Sequence, residues 1–260
     1  MKYYRMDALW QVTGKRMHLG ENVKEIEIME NDFNSKLENL YKVFKPYYIS
    51  GNLRERSCEC CVTNEEIKLL LSKQLKDLSE DDIGHFMRSA ITTFGEISDY
   101  KHFLPRILEL LSFQNSTIID DFLTFEKLNY GEWETWNEDE IVVVKEYLES
   151  LWYIVINNEK STYYQIENVL EIIAKYIGMK KALKIWEGST ADKSVEYIVD
   201  FVLNGLSMDV GKKNKQYFLK WLHSKKVLSM MENVYFKDID FDFSKRLSIT
   251  YTILERDYEE

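Results

Sequence analysis

The chain has 260 residues, 45 % apolar and 14 % aromatic, enough to bury a sizeable core without disulfides. Its net charge of −10 and pI near 5.1 lack the basic surface that general phosphate-backbone binding requires, so nucleic acid is not an expected partner. Two prolines and ten glycines give little punctuation, which favours helices with short joints over a turn-rich β sandwich.

Lys2 and Arg5 are followed by Asp7, Gln11 and Lys15 before any apolar run develops, so the first residues do not read as a signal peptide. The longest apolar run, Leu151 to Ile156, is far shorter than the roughly 20 residues that span a bilayer. Three cysteines, an odd number packed into four positions, suit a reducing compartment. The expectation is a cytoplasmic protein without a membrane partner.

Residues 1–31 are predicted to form an irregular N-terminal arm. Met1 to Thr13 is rich in Tyr, Trp and Val, and Val23 to Ile28 alternates, each reading as a short strand or an extended segment. From Asp32 the period changes. Phe33, Leu37, Leu40, Tyr41 and Phe44 recur at helical spacing, and Pro46 ends that helix. The segment 47–62, with Gly51, Asn52 and the cysteines, predicts an ordered loop.

Thr63 to Glu66 reads as a capping box and opens a helix to about Leu75. Ser79 followed by Glu80, Asp81 and Asp82 opens the next, which Gly95 can close at about 94. Ser98 and Asp99 open a helix to 113 in which Pro105 marks a start or a kink. Further helices are predicted at 120–128, from a cap at Asn137 to Glu140 through Ile156, at 161–177 closed by Gly178, at 180–186, from 190 or 191 to 203, at 215–231 and at 244–258. Residues 32–260 thus read as one all-α domain with a candidate seam at 113–137. The architecture expected is an irregular stack of antiparallel hairpins, a HEAT-like α-solenoid or a compact bundle. No repeat consensus is visible.

Three stretches could carry function. Cys58, Cys60 and Cys61 offer three thiols, and zinc would need a fourth ligand, for which His102 and His85 are the candidates. Packed, metal-free thiols are the alternative, which leaves the cofactor as none or zinc. Lys101, His102 and Arg106, flanked by Glu96, Asp99 and Glu109, form a cationic turn. It reads either as a catalytic centre or as a helix-packing histidine with capping and ion-pair acids. In Tyr130 to Glu140, Trp133 and Trp136 lie among Glu132, Glu134, Glu138, Asp139 and Glu140. They read as aromatic anchors in an acidic rim, suited to a basic protein partner, or as core tryptophans beside a solvated loop.

The elements Cys58-x-Cys60-Cys61, Leu78-Ser79-x-Asp81-Asp82, Thr92-Thr93-x-Gly95 and Asp99-x-Lys101-His102-Phe103-Leu104-Pro105-Arg106-x-Leu108-Glu109-Leu110 resemble a bacterial family of helical proteins. The likeness covers roughly residues 50–112 and implies no reaction. Glu59 and Phe94 depart from the small residue or proline, and from the tryptophan, expected of that family at those places.

No phosphate-binding loop, dinucleotide fingerprint, nucleophile elbow or H-E-x-x-H is present. The expected function is a protein-interaction module, in its sharpest form an immunity-type protein that covers a basic toxin. The alternative is a small metal- or thiol-dependent hydrolase built around the cysteines and His102.

Overall fold

The computed structural model describes residues 22–112, 121–189, 191–205, 207–237 and 239–256. Among them the secondary structure is helical, with no strand and two isolated bridges, Ser57 to Phe94 and Ala90 to Phe94. Among the described residues no helix is long and apolar enough to cross a membrane.

Helix α1 (Asn22–Phe44) begins ten residues earlier than the helical period suggests. Val23 to Ile28, expected to be extended, is helical. The interleaved Lys24, Glu25 and Glu27 are good helix formers, and a helix already anchored through Phe33, Leu37, Leu40 and Phe44 propagates into them at little cost. Residues 1–21, the rest of the expected arm, lie outside the described residues.

Helix α2 (Asn64–Leu70) opens on the predicted capping box, in which Glu66 donates its amide to the Thr63 hydroxyl and accepts the Thr63 amide at 2.7 Å. It ends sooner than expected, and α3 (Glu80–Ser89) starts from Ser79. Gly95 does not close α3. The chain turns at Ile91 (φ 69°), and Gly95 (φ 70°) instead leads into α4 (Ile97–Ser112). A Cβ at position 95 would lie 2.9 Å from an Asp99 carboxylate oxygen, so this turn requires glycine. Pro105 sits inside α4, so the Lys101 carbonyl loses its intrahelical donor.

The second half comprises α5 (Asp121–Tyr130), α6 (Glu138–Asn157), α7 (Tyr163–Ile173), α8 (Met179–Glu187), α9 (Asp192–Asn204), α10 (Gly211–Leu222), α11 (Lys225–Tyr235) and α12 (Phe241–Arg256). A π-helical turn, Ala174–Gly178, follows α7, and Gly178 (φ 87°) leaves the helical backbone where the sequence places the end, becoming the N-cap of α8. The helix expected at 215–231 is two helices. Ser224 caps the second by accepting the Val227 amide, which ends the first at Leu222. Residues 113–120, part of the candidate seam, and 257–260 lie outside the described residues.

Helix α6 is the axis of the fold. It packs most extensively on α1 and also meets α7, α8 and α9. Its run Leu151 to Ile156 is apolar on nearly every side, as a helix enclosed by neighbours requires, and Val143, Val144, Tyr147 and Leu148 continue the buried surface. Beyond it, Trp152, Trp186, Phe201, Phe218 and Trp221 form a connected aromatic cluster, with Trp152 and Trp186 edge-on at 5.4 Å. Buried residues from Phe33 to Leu254 make one core.

Candidate functional site

The cysteines occupy a turn fastened from below. Asn52 accepts the Arg54 amide and starts a 3₁₀ turn (Leu53–Arg56), which aims the Arg54 guanidinium at the backbone of the following residues. It donates to the carbonyls of Ser57 (3.0 Å), Cys58 (2.7 Å) and Val62. The Cys58 amide donates to the Thr93 carbonyl at 2.8 Å, and the Val62 side chain is buried. Between these fastenings the thiols converge despite their tight spacing. Cys58 and Cys60 sulfurs lie 3.1 Å apart, those of Cys60 and Cys61 3.6 Å, and all three lie within 4.8 Å of one another. Cys60 and Cys61 are exposed and Cys58 is half-buried. These three close cysteines could hold a metal ion.

Cys58 and Cys61 do not titrate alike. Hydrogen bonds from Cys60 and Cys61 stabilise a thiolate at Cys58 and lower its pKa to about 7, while the hydrogen bonds to Cys58 and Cys60 raise Cys61 to about 11. Since thiolate is the nucleophile, iodoacetamide should label Cys58 ahead of Cys61, at a rate rising through about pH 7 and levelling off above it. Peptide mapping after partial labelling checks this, and label on Cys61 ahead of Cys58 at pH 7 would contradict it.

Neither expected histidine joins the cluster. The ligand atoms within 4.8 Å of one another are the three sulfurs. His102 turns its Nδ1 to the Tyr47 carbonyl at 2.9 Å and packs edge-on against Phe103. His85 pairs with Glu66 at 2.8 Å, so the acid that caps α2 also holds this ring. His102, expected as the fourth metal ligand, is thus placed away from the thiols, with its ring held by the Tyr47 carbonyl.

The cationic turn resolves into separate partnerships. Arg56 grips the buried Asp99 through two bonds, at 2.8 and 2.9 Å, and the same carboxylate accepts the Glu96 amide at the start of α4. Arg106 donates to the Leu78 carbonyl and to Glu109. Lys101 reaches 2.7 Å from Glu140, with side chains only 9 % and 4 % exposed, and Tyr47 donates to the same carboxylate. The Lys101 ammonium also lies 4.4 Å from the Trp136 ring centre. Burial pushes the Glu140 carboxyl up, and the Lys101 and Tyr47 hydrogen bonds more than reverse this, holding it below the usual range. Above the pair opens a cleft of about 400 Å³ lined by Tyr47, Glu96, Ile97, Ser98 and Lys101. The sequence reading missed this trio because Tyr47 and Glu140 lie 54 and 39 residues from Lys101. A lysine set among Tyr100, Phe103 and Leu104 was the one available signal.

At the third stretch the tryptophans are core residues. Trp133, 4 % exposed, packs edge-on against Tyr176. Trp136, 8 % exposed, lies edge-on to Phe44 and donates its indole N–H to the Gly131 carbonyl at 2.7 Å. The aromatic-anchor reading is corrected accordingly, since neither ring is available at the surface. Glu132, Glu134, Glu138 and Asp139 remain exposed around them, and Glu132 (φ 50°) turns the chain out of α5.

Together these features define an all-α protein with a surface trithiol turn and an acidic corner. No family model, curated protein or solved structure matches the chain.

Proposed function

We propose that this chain is a helical protein-interaction module whose contact surface is the acidic corner at 132–139, of the kind an immunity-type protein would use to cover a basic partner. The supporting observation is that Glu132, Glu134, Glu138 and Asp139 all face solvent on a rim held by two buried indoles. Fixed like charges on a rigid rim steer a cationic surface into register before contact. With the tryptophans inside, such a contact is mainly electrostatic, so it is fast to form and sensitive to salt.

The test uses the product of the open reading frame beside this one as the candidate partner. Reversing Glu132, Glu134 and Asp139 to lysine should slow association about tenfold or more at low salt and flatten its salt dependence, with the melting temperature unchanged. Unaltered association by the folded triple variant would refute the acidic corner as the contact surface.

A second reading is favoured by the convergence of the three sulfurs, namely that the cysteine turn is a metal centre. Zinc held by Cys58, Cys60 and Cys61 would keep one position for a group from outside this cluster, since His102 is engaged elsewhere. The hydrolase version, which needs His102 beside the cysteines, has no such support.

A further inference from the structure

We infer that the trithiol turn is a three-coordinate, all-sulfur site for a soft monovalent cation, copper in its +1 state. The inference rests on the metal-centre reading and specifies its ion. Three observations carry it: the donor set, its spacing and its support.

The donor set is sulfur alone. Among the described residues no histidine, aspartate or glutamate brings a ligand atom into the group formed by Cys58, Cys60 and Cys61. Glu59, between two of the ligands in sequence, stays outside it. Structural zinc closes a tetrahedron with four protein ligands, and hard cations seek oxygen. Thiolates select soft ions, and an ion content with three of them needs no fourth ligand from the protein.

The spacing is close to what such an ion requires. With metal–sulfur bonds of about 2.3 Å, three sulfurs at the corners of a planar triangle lie about 4.0 Å apart. Here the neighbouring pairs are 3.1 and 3.6 Å apart and no pair exceeds 4.8 Å. An ion entering the middle therefore spreads the thiols by less than about 1 Å, a movement that side-chain rotation supplies without unfolding the turn.

The support is independent of the sulfurs. Arg54 binds three carbonyls of the turn, the Cys58 amide is tied to Thr93, and Val62 is anchored in the core, so the backbone is already ordered before an ion arrives. The guanidinium also places a positive charge beside a centre that carries a net charge of −2 once three thiolates surround one monovalent ion. Binding is ligand exchange: the thiol protons pass to the buffer, three sulfur–copper bonds form, and no electron moves. Exposure of Cys60 and Cys61 leaves the ion open to exchange with outside thiols, which suits a carried or sensed ion rather than a buried structural one.

The experiment titrates the full chain, reduced and kept from oxygen, against Cu(I) held by a chromophoric chelator, with zinc and a zinc indicator in a parallel arm. One equivalent of Cu(I) should leave the chelator, and X-ray absorption should show three sulfur neighbours and no nitrogen or oxygen. Cys58→Ser, Cys60→Ser and Cys61→Ser should each weaken the competition at least tenfold, with circular dichroism unchanged because the side chains are outside the core. One equivalent of zinc with a fourth oxygen or nitrogen neighbour, undisplaced by equimolar Cu(I), would overturn the copper assignment and leave the metal centre standing. No uptake of either ion, or uptake indifferent to all three substitutions, would overturn both.

Discussion

Lys101→Ala should destabilise the protein by about 3–5 kcal/mol at neutral pH, seen as a fall in melting temperature of roughly 6–20 °C. The reason is the charge left behind. Glu140 keeps its place at the base of α6 with 4 % of its side chain exposed, Tyr47 remains its neutral donor, and the cation that offsets its burial is gone. The loss should depend on pH, and its sign follows from Glu140. In the wild type the folded carboxyl titrates below its ordinary range, so its contribution is full above the unfolded value of about 4.3 and disappears as pH falls through the folded value. In the variant, burial raises the same carboxyl above its unfolded value, so acidification relieves the penalty. The gap between the two proteins should therefore be widest near pH 7 and narrow toward pH 4. Replacing both partners, Lys101→Met with Glu140→Leu, should recover much of the loss, because an apolar pair leaves no unpaired charge. A Lys101→Ala protein that melts within about 1 kcal/mol of wild type at pH 7 would mean water reaches the pair.

Trp136→Ala should cost about 3–5 kcal/mol in the free protein. The indole fills the space between Phe44 on α1 and Tyr100 on α4, roofs the Lys101 ammonium and satisfies the Gly131 carbonyl. Its removal opens a cavity, exposes that carbonyl and weakens the ion pair beneath. Trp136→Phe keeps most of the apolar contact and forfeits the N–H, so it should cost nearer 1 kcal/mol. Because Trp136 and Lys101 touch, the two alanine changes should not add, and a double-mutant cycle should return a coupling of about 0.5–3 kcal/mol. Denaturant melts of the four proteins measure this. Trp136→Ala with unchanged stability would return the indole to the surface and revive it as a partner anchor.

These two experiments also separate stability from function at the acidic corner. The sequence YGEWETWNEDE places anchors and charges together, but folding divides them, indoles inward and carboxylates outward. Charge reversal there reads association alone, whereas either tryptophan substitution reads the core. The structure explains why the pattern is ambiguous in one dimension. Both rings turn inward because of partners far off in sequence, Tyr176, 43 residues after Trp133, and Phe44, 92 residues before Trp136.

Local chemistry was legible in the sequence. The all-α class, the Thr63–Glu66 box, the Ser79 start and the helical face from Phe33 to Phe44 rest on interactions within four residues of one another, so periodicity and capping residues suffice to specify them. The break at Ser224 and the early end of α3 were misplaced because caps compete with a continuing period, and neighbouring helices decide which prevails. Long-range pairing was decided only in three dimensions. Lys101 finds Glu140 and Tyr47, and His102 finds the Tyr47 carbonyl rather than a thiol. The cysteines show the same division. Their residue type and crowding are written in the chain, but C-x-C-C spacing alone gives thiols of poor bite. The convergence of all three sulfurs depends on a turn that Arg54 holds from within and the Thr93 carbonyl holds from 35 residues away.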